Sequence, residues 1–224
     1  METLFLETVM GKRMISDILE QPDAYLVVKE VSEILDSERK KRINFYNEIT
    51  EQEKVEFING EIIVHSPVKM QHNEVSLFLA QLFNVYARKY KLGFVGIEKI
   101  MITLTRNDYE PDVCFFKLEK SKQFKKDQIL FPAPDLVVEV ISPSTEHRDR
   151  GLKFKDYAAH QIEEYWIIDS DYKTVEQYHL VGKEYFLVQK SSNGMIESFV
   201  IEGFKIPIIA IFDESENIKA TQSL

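Results

Sequence analysis

Asp135-Leu136-Val137-Val138-Glu139-Val140-Ile141-Ser142 decides how this chain reads. Four valine and isoleucine residues with one leucine make a run that belongs in the interior, with the length and composition of a central strand covered on both faces. A helical pattern over residues 148–160 follows, and then a strand over 165–169. A strand, a helix and a second strand in that order imply a parallel pair. Upstream, Val55-Glu56-Phe57-Ile58 and Glu61-Ile62-Ile63-Val64 flank Asn59-Gly60. Asn-Gly readily takes positive φ at both turn positions, so this stretch predicts an antiparallel hairpin. Val75, Phe78, Leu79, Leu82 and Tyr86 recur at helical period and predict a helix over 71–91. Further strands are expected at 94–104, 112–116, 174–180, 185–189 and within 199–212, with a lysine-rich surface loop at 121–129. The fold class is therefore α/β, of the α+β kind: one mixed sheet with helices and hairpins packed on it.

Composition sets the limits. The chain has 224 residues, 44% of them hydrophobic and 29% charged, enough to bury a sizeable core. A single cysteine, Cys114, excludes an intrachain disulfide framework and a cysteine-rich zinc site. No apolar run approaches the roughly 18 residues of a membrane span. The opening METLFLETVMGKR lacks the layout of a signal peptide, so a cytoplasmic protein is expected. Twenty-eight basic against 37 acidic residues leave a net charge of -9. Such a chain is not drawn to a polyanion by its overall field; a nucleic-acid partner would need a local basic patch or a bound cation. Residues 1–50 read as a helical extension, with Val31, Ile34 and Leu35 on one face and a solvated charged run through Arg42. Residues 51–213 form the main domain, and 214–224 a polar tail.

Glu139 is the anomaly. A carboxylate among interior residues takes a proton, finds a cation or binds a metal. Asp135, Val137, Glu139 and Ile141 share one strand face. Asp135 lies about 13 Å from Glu139 along the strand, too far to share a ligand directly. Asp112, which follows Pro111 and opens a neighbouring strand, is the better partner. Two carboxylates facing each other across adjacent strands repel unless a divalent cation lies between them, and oxygen donors of this kind select magnesium, manganese or calcium.

Pro111-Asp112, Asp135 through Thr145, Arg148-Asp-Arg-Gly-Leu-Lys153-Phe-Lys-Asp-Tyr157 and Glu164-Tyr-Trp-Ile-Ile-Asp169, taken in order, resemble the Uma-type "putative restriction endonuclease" family of the PD-(D/E)XK nuclease superfamily. The likeness reaches upstream to Glu56 through Glu61 with His72, and downstream to residues 196–204, covering roughly residues 50–213. It implies a restriction-endonuclease-like core in which Asp112 and Glu139 bind Mg2+, with Mn2+ as an alternative. In the superfamily pattern a lysine stands two residues after the acid, where this chain has Ile141. Helical projection leaves both Lys153 and Lys155 at the borders of the apolar stripe Phe154-Tyr157-Ala158; the resemblance places the basic role at Lys153.

The implied activity is metal-dependent hydrolysis of DNA phosphodiester bonds, with catalytic Asp112, Glu139 and Lys153, and with Arg148, Arg150, Lys153 and Lys155 as a patch facing phosphate. A homodimer is an expectation of the resemblance alone. The main alternative is an inactive nuclease-fold protein that binds nucleic acid or serves in assembly; a hydrolase of smaller substrates and a sugar-cleaving enzyme are further ones. Around the site, Glu61 reads as an exposed strand residue rather than a third ligand, and Glu98 equally as an edge ion pair or a neighbour of the site. His72 reads as a structural hydrogen bond near a helix start, and Asp135 as a strand-entry group. Ser142-Pro-Ser-Thr lacks a nucleophile elbow and reads as a strand end and helix cap.

Overall fold

The computed structural model describes residues 9–50 and 53–224. Two helices, α1 (Val9–Leu19) and α2 (Ala24–Glu48), lead into the hairpin β1 (Val55–Ile58) and β2 (Glu61–Val64). The long helix α3 (Met70–Tyr90) follows, then β3 (Gly93–Ile97), β4 (Met101–Thr103), β5 (Asp108–Tyr109) and β6 (Val113–Lys117). A short α4 (Leu118–Ser121) and β7 (Leu130–Phe131) precede the central β8 (Leu136–Ile141). From there the chain runs through α5 (Glu146–Arg148), a π-helical turn (Asp149–Lys153) and α6 (Phe154–Ala159) into β9 (Glu164–Asp169). β10 (Thr174–Val181), β11 (Glu184–Ser191), β12 (Met195–Glu197), β13 (Lys205–Pro207) and a 3-10 turn end at α7 (Glu214–Ser223).

Three sheets form among the described residues, where one mixed sheet is expected from sequence. The larger has the order β11-β10-β9-β8-β6-β3, the second β2-β1-β5-β4-β7, and β12 pairs only with β13. β8 and β9 are parallel, with Val138 opposite Trp166, while β6 runs antiparallel on the other side of β8 with Val113 opposite Val138. The single strand expected over 94–104 is two strands, β3 and β4, that belong to different sheets. The Asn-Gly hairpin forms as expected: Asn59 and Gly60 take φ of 51° and 82°, and Ile58 pairs with Glu61. A Cβ on Gly60 would lie 2.6 Å from Glu38 Cγ, so the turn also needs glycine for the close approach of α2.

All six residues of β8 are buried, and their alternation divides the core in two. Leu136, Val138 and Val140 pack with Val75, Leu79 and Phe83 of α3 and with Trp166. Val137 and Ile141 pack on the opposite face with Ile102, Tyr109, Tyr157 and Tyr165. Each such side chain contributes about 1.5–3 kcal/mol on burial, and Glu139 stands on this second face, between the two larger sheets.

Two terminal expectations change. The charged run ending α2 is not a solvated face throughout: the Arg42 guanidinium binds the Asp108 carboxylate and the carbonyl oxygens of Leu104 (2.8 Å) and Thr105 (3.0 Å). With buried Phe45 packed on Phe57 at 5.6 Å, Arg42 anchors α2 to the second sheet. The residues expected as a polar tail form α7, capped by Asp213, whose Oδ1 accepts from Glu216 N at 3.0 Å. Asn217 Nδ2 of α7 donates to Phe78 O of α3 at 3.2 Å, so this helix belongs to the fold.

The expected phosphate-facing patch is dispersed. Arg150 binds Glu176 twice, at 2.7 and 2.9 Å, and Glu146 at 2.7 Å. Lys153 is buried, and of the other two Lys155 is exposed and Arg148 half-buried, neither with an ion pair among the described residues. Burial alone would raise the Glu176 carboxyl, but hydrogen bonds from Arg150, Lys190 and Tyr178 outweigh it and hold its pKa at about 2. A carboxyl with a depressed folded-state pKa contributes stability above its unfolded value of 4.5 and loses it as pH falls toward 2. Glu176→Gln is therefore expected to lower stability at pH 7 by about 2 kcal/mol, the scale of a hydrogen bond to a charged group. The difference from wild type should vanish near pH 2, as read by urea unfolding across pH.

Candidate active site

Strand register brings the two acids together. Continuing the β6–β8 pairing by one residue past Val113 and Val138 sets Asp112 opposite Glu139. Asp112 stands just before β6, and its Oδ2 accepts a hydrogen bond from Val140 N at 2.8 Å, where the ladder ends. Both acids line one cavity of about 660 Å3, open to the surface beside Pro67, Ser142 and Arg148. Asp112 is 4% exposed and Glu139 also 4%.

Lys153 reaches this pair through the π-helical turn. The wider turn swings its amine under β8, where it stands 3.1 Å from Glu139 Oε1, 2.9 Å from Glu56 Oε1 and 3.3 Å from Asp149 Oδ1. Such turns occur often at functional sites because they re-aim a side chain without ending the helix. Tyr157 OH donates to Glu139 Oε1 at 2.7 Å, and Tyr165 OH donates to Asp149 O at 3.1 Å. A second lysine enters from the residue before β1: Lys54 Nζ lies 2.8 Å from Asp112 Oδ1 and 3.2 Å from Glu98 Oε2.

Five carboxyl groups thus touch two ammonium groups: Asp112 and Glu98 on Lys54, and Glu56, Glu139 and Asp149 on Lys153. The balance shows in their proton affinities. Burial pushes the Glu139 carboxyl up to about 8, beyond what Lys153 offsets, and neighbouring Asp149, Asp112 and Glu56 push the same way. Asp149 is raised as well, mainly by burial. Glu56 resists its own burial because Lys153 and His65 hold it at about 2. Asp112 overcomes burial through His72 and Lys54 and is lowered. Glu110, which accepts from Val55 N at 2.9 Å, is raised by burial to about 7.

The remaining candidates fall into place around this core. Glu61 is exposed and pairs with Lys41 at 3.6 Å, away from the cavity. Glu98, held in left-handed backbone at φ 54°, is both an ion-pair partner of Lys54 and a wall of the cavity. His72 is buried near the start of α3, with Nε2 3.4 Å from Asp112 Oδ2 but not aligned to donate. Asp135 accepts from Lys117 N at 2.7 Å and pairs with Lys120 at 2.8 Å, which fixes the entry to β8 at the end remote from the cavity. In the Ser142–Thr145 turn, Thr145 Oγ1 accepts from Ser142 N at 3.1 Å, a local strand-end contact. Sequence reasoning passed over Lys54 and gave Glu56 and Asp149 no role of their own.

A divalent cation fits the donors present. Among the described residues no group of three or more His, Cys, Asp and Glu side chains is arranged to hold a metal ion. Asp112 and Glu139 nonetheless offer two oxygen donors in an open cavity, with an excess of negative charge and a Glu139 carboxyl that burial raises beyond what Lys153 offsets. Mg2+ binds through one or two carboxylates and completes its shell with water and phosphate oxygens, so two such ligands suffice.

Known proteins share this architecture. The protein matches the crystal structure of a protein described as "a putative nuclease belonging to DUF820" from Anabaena variabilis, at TM-score 0.64 and 19% identity over 75% of this chain and 94% of that one. Two proteins of Synechocystis sp. are similar in sequence. "Uncharacterized protein sll1609" is 32% identical over 139 residues, 61% of this chain and 77% of its own length. "Uncharacterized protein slr1290" is 35% identical over 135 residues, 58% of this chain and 67% of its own. The profile of one family spans residues 43–208, from the end of α2 to the start of the 3-10 turn, and so takes in both acids, both lysines and the π-helical turn. The chain belongs to that family, Uma2, described as "Putative restriction endonuclease".

Proposed function

We propose that this protein is a divalent-cation-dependent endonuclease that hydrolyses phosphodiester bonds of DNA. The observation that carries this reading is the convergence of Asp112 and Glu139 from adjacent strands on one open cavity, with Lys153 on Glu139. Mg2+ or Mn2+ held by these two carboxylates would supply a water of lowered pKa and neutralise charge on the scissile phosphate. Val140 N fixes the Asp112 carboxylate by its Oδ2. Lys153 and Tyr157 fix Glu139 by its Oε1, and Lys153 favours its charged form. Each acid is only 4% exposed, and the low local dielectric strengthens electrostatic interactions there. Arg148, at the cavity wall and free of ion pairs among the described residues, supplies the cationic contact for the DNA backbone.

Supercoiled plasmid should be nicked or linearised in Mg2+ or Mn2+, remain intact in EDTA, and be cut again when the cation is restored. Cutting that persists in excess EDTA overturns the proposal. One observation favours the non-catalytic alternative: Ile141 occupies the strand position of the superfamily lysine and is buried in the apolar cluster. Plasmid that is retarded in a gel but left whole in both cations would support that second reading.

A further inference from the structure

Both lysines of this site line the open cavity, and Lys54 is the more exposed of the two. Lys153 is enclosed by three carboxylates, with 4% of its side chain exposed; the Lys54 side chain is 18% exposed and lines the cavity wall. The root of Lys54 is fixed, because its carbonyl oxygen accepts from His65 N at 3.0 Å and ties the start of β1 to the end of β2. Its amine is aimed by Asp112 Oδ1 at 2.8 Å and Glu98 Oε2 at 3.2 Å. Glu98 keeps its carboxylate there from a left-handed backbone, a conformation that a non-glycine residue holds only when its surroundings enforce it.

Burial works against the Lys54 ammonium, but the Asp112 and Glu98 carboxylates beside it outweigh that and raise its pKa. Held between carboxylates at 2.8 and 3.2 Å, Lys54 acts by charge, not as a base. A phosphate oxygen sharing a cation with Asp112 would sit within a few ångströms of the Asp112 carboxylate, and so within reach of the amine bonded to that carboxylate. One carboxylate oxygen has lone pairs for both a cation and a lysine.

We propose that Lys54 is a further catalytic residue of this site, donating a hydrogen bond to a non-bridging oxygen of the scissile phosphate, while Lys153 holds the carboxylates in place. The inference rests on the nuclease reading above. In the step it serves, a water oxygen bonds to phosphorus as the bond from phosphorus to the leaving sugar oxygen breaks. The water gives up a proton to solvent and the leaving oxygen takes one from solvent. Lys54 transfers none and offsets the charge that builds on the phosphoryl oxygens. Stabilisation of that kind, once removed, costs on the order of 100- to 1000-fold in turnover.

The test pairs Mn2+ binding, followed by electron paramagnetic resonance, with plasmid turnover in Mn2+ for wild type, Lys54→Met and Lys54→Arg. The expected result is a loss of at least 100-fold in kcat for Lys54→Met, with Mn2+ affinity kept or improved, and partial recovery of kcat in Lys54→Arg. Wild-type turnover in Lys54→Met overturns the role of Lys54 and leaves the nuclease reading standing. Loss of Mn2+ binding in Lys54→Met, with no recovery of kcat in Lys54→Arg, overturns it too and marks the lysine as structural. A wild-type protein that binds Mn2+ and cuts nothing overturns the nuclease reading, and this inference with it.

Discussion

Asp112→Asn should abolish DNA cleavage, by on the order of 1000-fold or more, while the protein stays folded. The size follows from the role: outer partners of metal ligands cost 10- to 100-fold when replaced, and a ligand itself costs more. The fold should survive because asparagine keeps an oxygen for the hydrogen bond from Val140 N, the contact that closes the end of the β6–β8 ladder. Lys54 keeps Glu98 at 3.2 Å, and that carboxylate is partly exposed, so the lysine is not left buried without a counter-ion. His72 loses a charged neighbour but no aligned hydrogen bond. Plasmid cleavage in Mg2+, together with thermal unfolding, checks both halves. Cleavage within tenfold of wild type would remove Asp112 from the chemistry, and with it the cation-binding pair.

The sequence made the centre of this molecule legible for a specific reason. Glu139 violates the interior pattern of β8, and a buried charge without a partner is too costly to be accidental. Alternation along the strand then named the face, and the neighbouring Asp112 named the partner. Lys54 was illegible because it stands in a charged stretch before β1 that reads as surface; only the three-dimensional approach of that segment to β6 reveals it. Glu56 was masked by its hairpin. A two-stranded ribbon predicts one solvated face, yet all four residues of β1 are buried, because β1 also pairs with β5 and lies under α2. The choice between Lys153 and Lys155 was open at 100° per residue because the chain does not keep that period: the turn over 149–153 is π-helical. The same turn moved Asp149 from an expected phosphate-facing segment into the interior. Arg42 was misread for a related reason. Its target, Asp108, lies 66 residues away, and no local pattern announces it.

On the proposal above, Lys54 serves the chemistry and Lys153 the stability of the site, and replacing the buried Lys153 should show it. Lys153→Met is expected to cost about 3–5 kcal/mol of folding stability, the usual penalty for removing one side of a buried ion pair. Methionine fills similar volume, so the loss is electrostatic and leaves no large cavity. Without the amine, Glu56, Glu139 and Asp149 share a buried space with no lysine on any of them, and Glu56 keeps only His65, at 3.0 Å. Glu139 and Asp149 can answer by holding protons, since both are already raised by burial. Glu56 cannot do so as cheaply: it is held at about 2 largely by Lys153, and its Oε1 must still accept from Glu110 N at 3.2 Å. The charge on Glu56 is therefore the main cost, and Lys153→Met with Glu56→Gln should regain at least half of the lost stability, because a neutral amide suits the emptied site. A double-mutant cycle measured by urea unfolding gives that coupling directly. If the two substitutions simply add, Lys153 is not the counter-ion of Glu56, and the charge on Glu56 is not the main cost of removing the amine.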